Sequence, residues 1–200
     1  MALTINHQTN DISATSGSVT LDGAAAGGGA MTLISTTNIT SSVASVDISL
    51  SSSHSVQMMV IHNLDVTTGT RIRYRVSDDN GASFKSTSSY WTIGEYRYVY
   101  SGQAGSGTLN NGAFAANDTG AIGRLINSFD DFSARVMIYN SQESSVPTTL
   151  QSDAAGGRSF TVNYSECASS YAVNSVITDI RLFSEAGNLT KGVIKLYGLS

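Results

Sequence analysis

Thr70-Arg71-Ile72-Arg73-Tyr74-Arg75-Val76 alternates without a break: Arg71, Arg73 and Arg75 fall on one face, Ile72, Tyr74 and Val76 on the other. Successive side chains of a strand point to opposite faces, so a period of two marks a half-buried strand. Upstream, Val46-Asp47-Ile48-Ser49-Leu50 alternates in the same way. The run from Val56 to Leu64 is longer, with Val56, Met58, Val60, His62 and Leu64 on one face and Met59 and Ile61 on the other. Apolar residues on both faces describe a strand buried on both sides. Downstream, strands are expected at 90–100, 121–127, 132–139, 159–164, 176–183 and 192–199. Asp79-Asn80-Gly81 reads as a tight turn, because Asn-Gly tolerates positive φ. Stretches 101–120 and 141–157 are rich in Gly, Ser and Asn and read as loops. About eight to ten strands, with no helical period between them, predict an all-β fold: an antiparallel β-sandwich, jelly-roll-like, over residues 31–200.

Composition narrows the function. Lys and Arg number 11 against 15 Asp and Glu, a formal net charge of −4, and 13% of residues are charged, about half the usual share. A nucleic-acid binder shows a clustered basic face, so no nucleic-acid partner is expected. No run of about 18 apolar residues occurs, so no transmembrane helix and no membrane partner is expected. Residues 1–20 lack the basic and apolar segments of a secretory signal. The sequons at Asn38, Asn117, Asn163 and Asn188 are therefore expected to be coincidences of a Ser/Thr-rich chain. The single Cys167 excludes an intrachain disulfide and a Cys-rich metal cage.

The first thirty residues differ from the rest. They hold no aromatic residue, and their sparse apolar side chains are Leu3, Ile5, Ile12, Val19 and Leu21. Gly27-Gly28-Gly29 closes the segment, and adjacent glycines make a hinge. Such a stretch cannot fold by itself, and reads either as an extended attachment arm ordered by a partner or as a frayed terminus.

Catalytic constellations are scarce. His7, His54 and His62 have no zinc spacing, and Cys167 has no Cys or His neighbour. The carboxylate pairs Asp78-Asp79 and Asp130-Asp131 are adjacent in sequence, which suits turns better than acid–base chemistry. Calcium at Asp78-Asp79-Asn80 is left open, since these are hard oxygen ligands without EF-hand spacing. No nucleophile elbow or phosphate loop occurs, so no enzyme, cofactor or metal is expected. Tyr90, Trp91, Tyr96, Tyr98 and Tyr100 cluster within one strand. They pack a core or subunit interface, or they present rings that stack on sugars. Arg71, Arg73 and Arg75 repel on one face unless carboxylates across strands or on another subunit offset them.

Three stretches carry a resemblance: Thr4 to Gly23 at the start, Val76-Ser77-Asp78-Asp79-Asn80-Gly81-Ala82-Ser83-Phe84 in the middle, and Ile177 to Ser184 followed by Gly192 to Gly198 at the end. The chain resembles virion structural proteins of tailed bacteriophages, a group of capsid decoration (cement) proteins, head fibres and tail fibres. The resemblance implies a virion protein with a β-sandwich head, a homotrimer attached to the major capsid protein or another virion protein and assembled in the bacterial host cytoplasm. Its alternative is a tail-fibre or receptor-binding module that contacts host-surface glycans. It supplies no catalytic residues.

Overall fold

The computed structural model describes residues 3–6, 11–14, 20–21, 24–25, 31–68, 71–87, 89–100, 103–108, 118–124, 131–158 and 161–199. It divides into two compact units, Met1–Ala30 and Met31–Ser200. In the first, β1 (Leu3–Asn6) pairs with β2 (Asp11–Ala14), and β3 (Thr20–Leu21) with β4 (Ala24–Ala25), both antiparallel. The arm is thus two short hairpins. Hairpins of this length are marginal by themselves in water.

The second unit is an antiparallel β-sandwich. Its strands are β5 (Met31–Ile39), β6 (Ser45–Ser49), β7 (Val56–Val66), β8 (Arg71–Ser77), β9 (Tyr90–Tyr100), β10 (Gln103–Thr108), β11 (Gly120–Arg124), β12 (Phe132–Tyr139), β13 (Thr148–Arg158), β14 (Thr161–Tyr171), β15 (Asp179–Ser184) and β16 (Leu189–Leu199). One sheet has eight strands in the order β10-β9-β14-β13-β12-β7-β16-β5, and the other has four, β11-β8-β15-β6. A jelly roll shares eight strands between two sheets; here the division is unequal and the larger sheet spans the whole head.

Alternation decides which side chains enter the core. In β12, Phe132, Ala134, Val136 and Ile138 are buried, while Ser133, Arg135, Met137 and Tyr139 face outward. The small sheet returns Ile48, Ile72, Tyr74, Val76, Ile122, Ile180 and Leu182 against them, all buried. Each such large side chain contributes about 1.5–3 kcal/mol by leaving water. Two tyrosines tie the layers. The Tyr74 hydroxyl donates to Ser169 Oγ at 2.9 Å, and the Tyr90 hydroxyl accepts the Val76 N–H at 2.9 Å and donates to the Lys85 carbonyl at 3.0 Å. Tyr74 lies so close across Gly120 that a Cβ there would meet its ring at 2.1 Å, so this position requires glycine.

Several strands depart from the sequence pattern. Residues 103–108 and 148–158, read as loops, form β10 and β13. β13 buries Thr148, Leu150, Ser152 and Ala154, a real alternation concealed by small and polar residues. Its ladder to β14 runs the whole strand and its ladder to β12 runs from Thr149 to Ala155, and Ser152 Oγ donates to the Ile122 carbonyl at 2.6 Å. Asn80 and Gly81 do adopt positive φ, 57° and 77°. They do not close a hairpin, however, because β8 and β9 belong to different sheets.

Candidate interaction face

The residues that point away from the core on the eight-stranded sheet form an open face. The ladder registers align them in rows across the strands. One row runs Trp91, Ser170, Thr149, Tyr139, Val56, Leu199, Met31 from β9 to β5. The next runs Ile93, Ala168, Gln151, Met137, Met58, Tyr197, Leu33. The third runs Glu95, Glu166, Asp153, Arg135, Val60, Lys195, Thr36. Beyond it lie Arg97 opposite Tyr164, and Val99 opposite Val162.

This face is apolar to an unusual degree for one exposed to water. Ile93 is 72% exposed, Val162 66%, Leu33 52%, Met31 and Val99 48%, Trp91 42% and Tyr164 38%. These are seven of the ten exposed large apolar side chains among the described residues, and the other three, Val146, Val173 and Val176, lie outside the strands. Folded monomers rarely expose contiguous apolar area of this kind unless it binds something. Shallow depressions open on the same face. One is lined by Ile93, Glu95, Gln151, Asp153, Glu166 and Ala168, another by Val60, His62, Arg135, Ala155 and Tyr164.

The charged row is ordered. Three carboxylates occupy neighbouring strands at the β9 side, and Arg135 and Lys195 occupy the β16 side. Like charges opposite one another across strands are destabilising, so each carboxylate takes an internal donor. Arg97 reaches Glu95 at 2.7 Å and Arg135 reaches Asp153 at 2.6 Å. The Tyr164 hydroxyl donates to Glu166, and that bond to a carboxylate pushes the phenol up to about 12.

The residues singled out from sequence distribute unevenly over this geometry. Trp91 lies on the open face. Tyr90 is a core residue, fully buried edge-on to Tyr74 at 5.7 Å between ring centroids, and burial pushes its phenol far above the usual range. It is therefore removed from the interface and glycan candidates. Tyr96 and Tyr98 point to the inner side of the sheet, half-buried and stacked at 6.2 Å, with the Arg124 guanidinium 4.4 Å from the Tyr96 ring. The Tyr100 side chain, Val19, and Gly27, Gly28 and Gly29 lie outside the described residues, as do the side chains of Leu3, Ile5, Ile12 and Leu21.

The three arginines of β8 find their carboxylates within the chain. Arg71 reaches Glu185 at 3.3 Å, Arg73 also pairs with Glu185, and Arg75 reaches Asp118 at 2.8 Å. His62 is exposed on the open face. A bulge at Asn63 (φ 49°) returns Leu64 to the core, so the two do not share a face. In the 78–81 turn, Asp79 accepts from Ser77 Oγ at 2.6 Å and from the Ser83 N–H at 2.9 Å, which holds its carboxyl well below the usual range. Asp78 is 2.6 Å from Lys85 Nζ, so both carboxylates of this turn are engaged internally. Among the described residues no group of three or more His, Cys, Asp or Glu is placed to hold a metal ion. Cys167 is buried, its thiol 3.1 Å from the Ala121 carbonyl, and desolvation pushes it up to about 12.

Sequence reasoning missed Val162, Tyr164, Glu166 and Ile93 as a surface. The available signal was that 161–168 alternates Val162, Tyr164, Glu166 and Ala168 with the small or polar Thr161, Asn163, Ser165 and Cys167. The small polar residues Ser165, Cys167 and Ser169 are the buried ones here, the reverse of the usual order.

No protein-family model matches the chain. No curated protein matches it at a significant level. Among solved structures, the infectious bursal disease virus VP2 subviral particle is similar at 7% identity and a TM-score of 0.14, over 88% of this chain and 42% of that one. At that score the likeness carries no argument about fold or function.

Proposed function

We propose that the chain is a structural protein of a tailed-bacteriophage virion, a capsid-decorating appendage. Residues 1–30 attach it to the major capsid protein or another virion protein, and the head trimerises. The observation that carries this reading is the division of the chain into a thirty-residue unit of minimal hairpins and a β-sandwich with an open apolar face. The first is too short and too poor in apolar residues to fold by itself, and the second leaves its apolar face exposed among the described residues. The resemblance at residues 4–23, 76–84 and 177–198 supplies the virion. A buried, unpaired Cys167 suits assembly in a reducing cytoplasm. The test is deletion of residues 1–30. The remaining head is expected to stay soluble and to lose binding to purified particles; full retention on particles contradicts the reading.

Two exposed rings favour a second reading. Trp91 and Tyr164 share the open face with Glu95, Arg97 and Gln151, a set able to stack on and hydrogen-bond a host-surface glycan. A glycan array and the adsorption of a Trp91→Ala phage separate the two. Loss of adsorption with an intact oligomer supports the receptor-binding module, and unchanged adsorption with no array binder removes it.

A further inference from the structure

We propose that the open face of the eight-stranded sheet is the self-association surface of the head, with copies arranged around an axis that runs along the strands in front of the sheet's midline. The inference deepens the reading above, on which the trimer rests, by assigning the surface and its geometry.

Area comes first. Seven strand spacings of about 4.8 Å and strands of eleven residues at about 3.3 Å give a face of roughly 1,200 Å². A stable interface needs about 800 Å² per partner, so the face is large enough for a second copy with some left uncovered.

Charge order then selects the axis. Rotation about an axis along the strands leaves height along the strands unchanged, so every cross-strand row meets the same row of its neighbour with left and right exchanged. β9 and β16 are each second from an end in the strand order, and β13 and β12 flank the midline. Glu95 of one copy therefore meets Lys195 of the next, and Asp153 meets Arg135, while the apolar rows of Trp91 and Ile93 meet those of Leu199 and Tyr197. A dyad running across the strands instead places the three carboxylates of one copy on those of the other, and like-charge juxtaposition costs several kcal/mol. Lys195 makes no ion pair among the described residues, so it takes a partner's carboxylate without giving up one of its own, while Glu95 keeps Arg97 on one oxygen. That full matching belongs to a twofold axis; around a threefold axis the β9 side of one copy, with Glu95, still meets the β16 side of the next, with Lys195, while Asp153 and Arg135 near each midline stay apart, and under the proposed function the axis is threefold.

The test uses the full chain in light scattering and sedimentation, comparing wild type with Glu95→Lys, Lys195→Glu, the double reversal and Ile93→Asp. All three sites are on the exposed face, so the circular dichroism spectrum of the folded chain is expected to be retained. Each single reversal is expected to weaken association about tenfold or more, and the double reversal to restore it, because the pair is re-formed between copies. Ile93→Asp is expected to give a monomer. A charge-dependent dimer supports this surface and overturns the trimer of the proposed function. A wild-type chain that is monomeric at tens of micromolar, or an oligomer indifferent to all four variants, overturns the surface itself.

Discussion

The two faces of the eight-stranded sheet are made from alternate residues of the same strands, and they differ in what covers them. The inner face carries Phe132, Val136, Ile138, Met59 and Ile61, sealed by the four-stranded sheet. The outer face carries Trp91, Ile93, Val99 and Val162, which stand in water in the single head. Apolarity therefore does not separate them. The inner face is fixed by interlocked packing and by hydroxyls that span the layers, whereas the outer face has rows, an ordered set of charges and no second layer among the described residues. The strand β7 makes the point most directly. Its sequence is apolar on both faces and reads as buried on both; the head covers Met59 and Ile61 and leaves Val56, Met58 and Val60 half-buried. On the proposed self-association, a neighbouring copy supplies the cover that this pattern asks for.

Substitutions on the inner face should break the comparison on the side of stability. Phe132→Ala removes a fully buried ring and is expected to cost about 3–5 kcal/mol in chemical unfolding, from lost transfer energy and the cavity left behind. Tyr90→Phe keeps the ring but leaves the Val76 N–H without its acceptor inside the protein. An unsatisfied buried donor costs about 1–3 kcal/mol, so the unfolding midpoint should fall while the oligomer survives.

Cys167 sharpens the inner side through pH. Burial keeps the folded thiol neutral up to about 12, from an ordinary value of 9. The folded state thus holds a proton that the unfolded state releases, so this contribution is complete below about pH 9 and declines as pH rises toward 12. Wild type and Cys167→Ala, unfolded in parallel from pH 8 to 10.5, should show a stability difference that shifts against the wild type by roughly 1 kcal/mol per pH unit above 9. At pH 8 the native thiol should resist a disulfide reagent and react on unfolding. The smallest effect on stability belongs to the outer face. Ile93→Ser, at an exposed position, should change the stability of the monomer by under about 0.5 kcal/mol, and its consequence should appear in association alone.

Much of this architecture was legible in the residues. Thr70–Val76 is strand β8 almost to the residue, 90–100 and 132–139 match β9 and β12, and the all-β class follows from them. β13 and β10 were not, because Ala154, Ala155, Gly156 and Gly157, or Gly105 and Gly107, have side chains too small to signal a face. The open face was half legible. Trp91 was visible as an aromatic in a strand, but its neighbours Val162 and Tyr164 come from β14, some seventy residues later, and only the ladder brings them beside Val99 and Arg97. Tyr90 shows the same limit in reverse: of the aromatics along this strand, the described Tyr90, Trp91, Tyr96 and Tyr98 divide between the inner and outer sides by parity, and composition does not reveal which parity faces in. The β8 arginines illustrate a third case, since Glu185 and Asp118 are distant in sequence and the ion pairs arise from strand order.

Trp91 is the one tryptophan of the chain, and it stands on the open face at 42% exposure in the isolated head. Acrylamide quenching of its fluorescence across a concentration series therefore reads the cover of that face directly. The account expects quenching to fall and emission to shift to the blue as the full chain associates, with the Ile93→Asp variant remaining fully quenchable at every concentration. Quenching that is independent of concentration in an associated wild type, and equal to that of the variant, contradicts the assignment of this face to self-association.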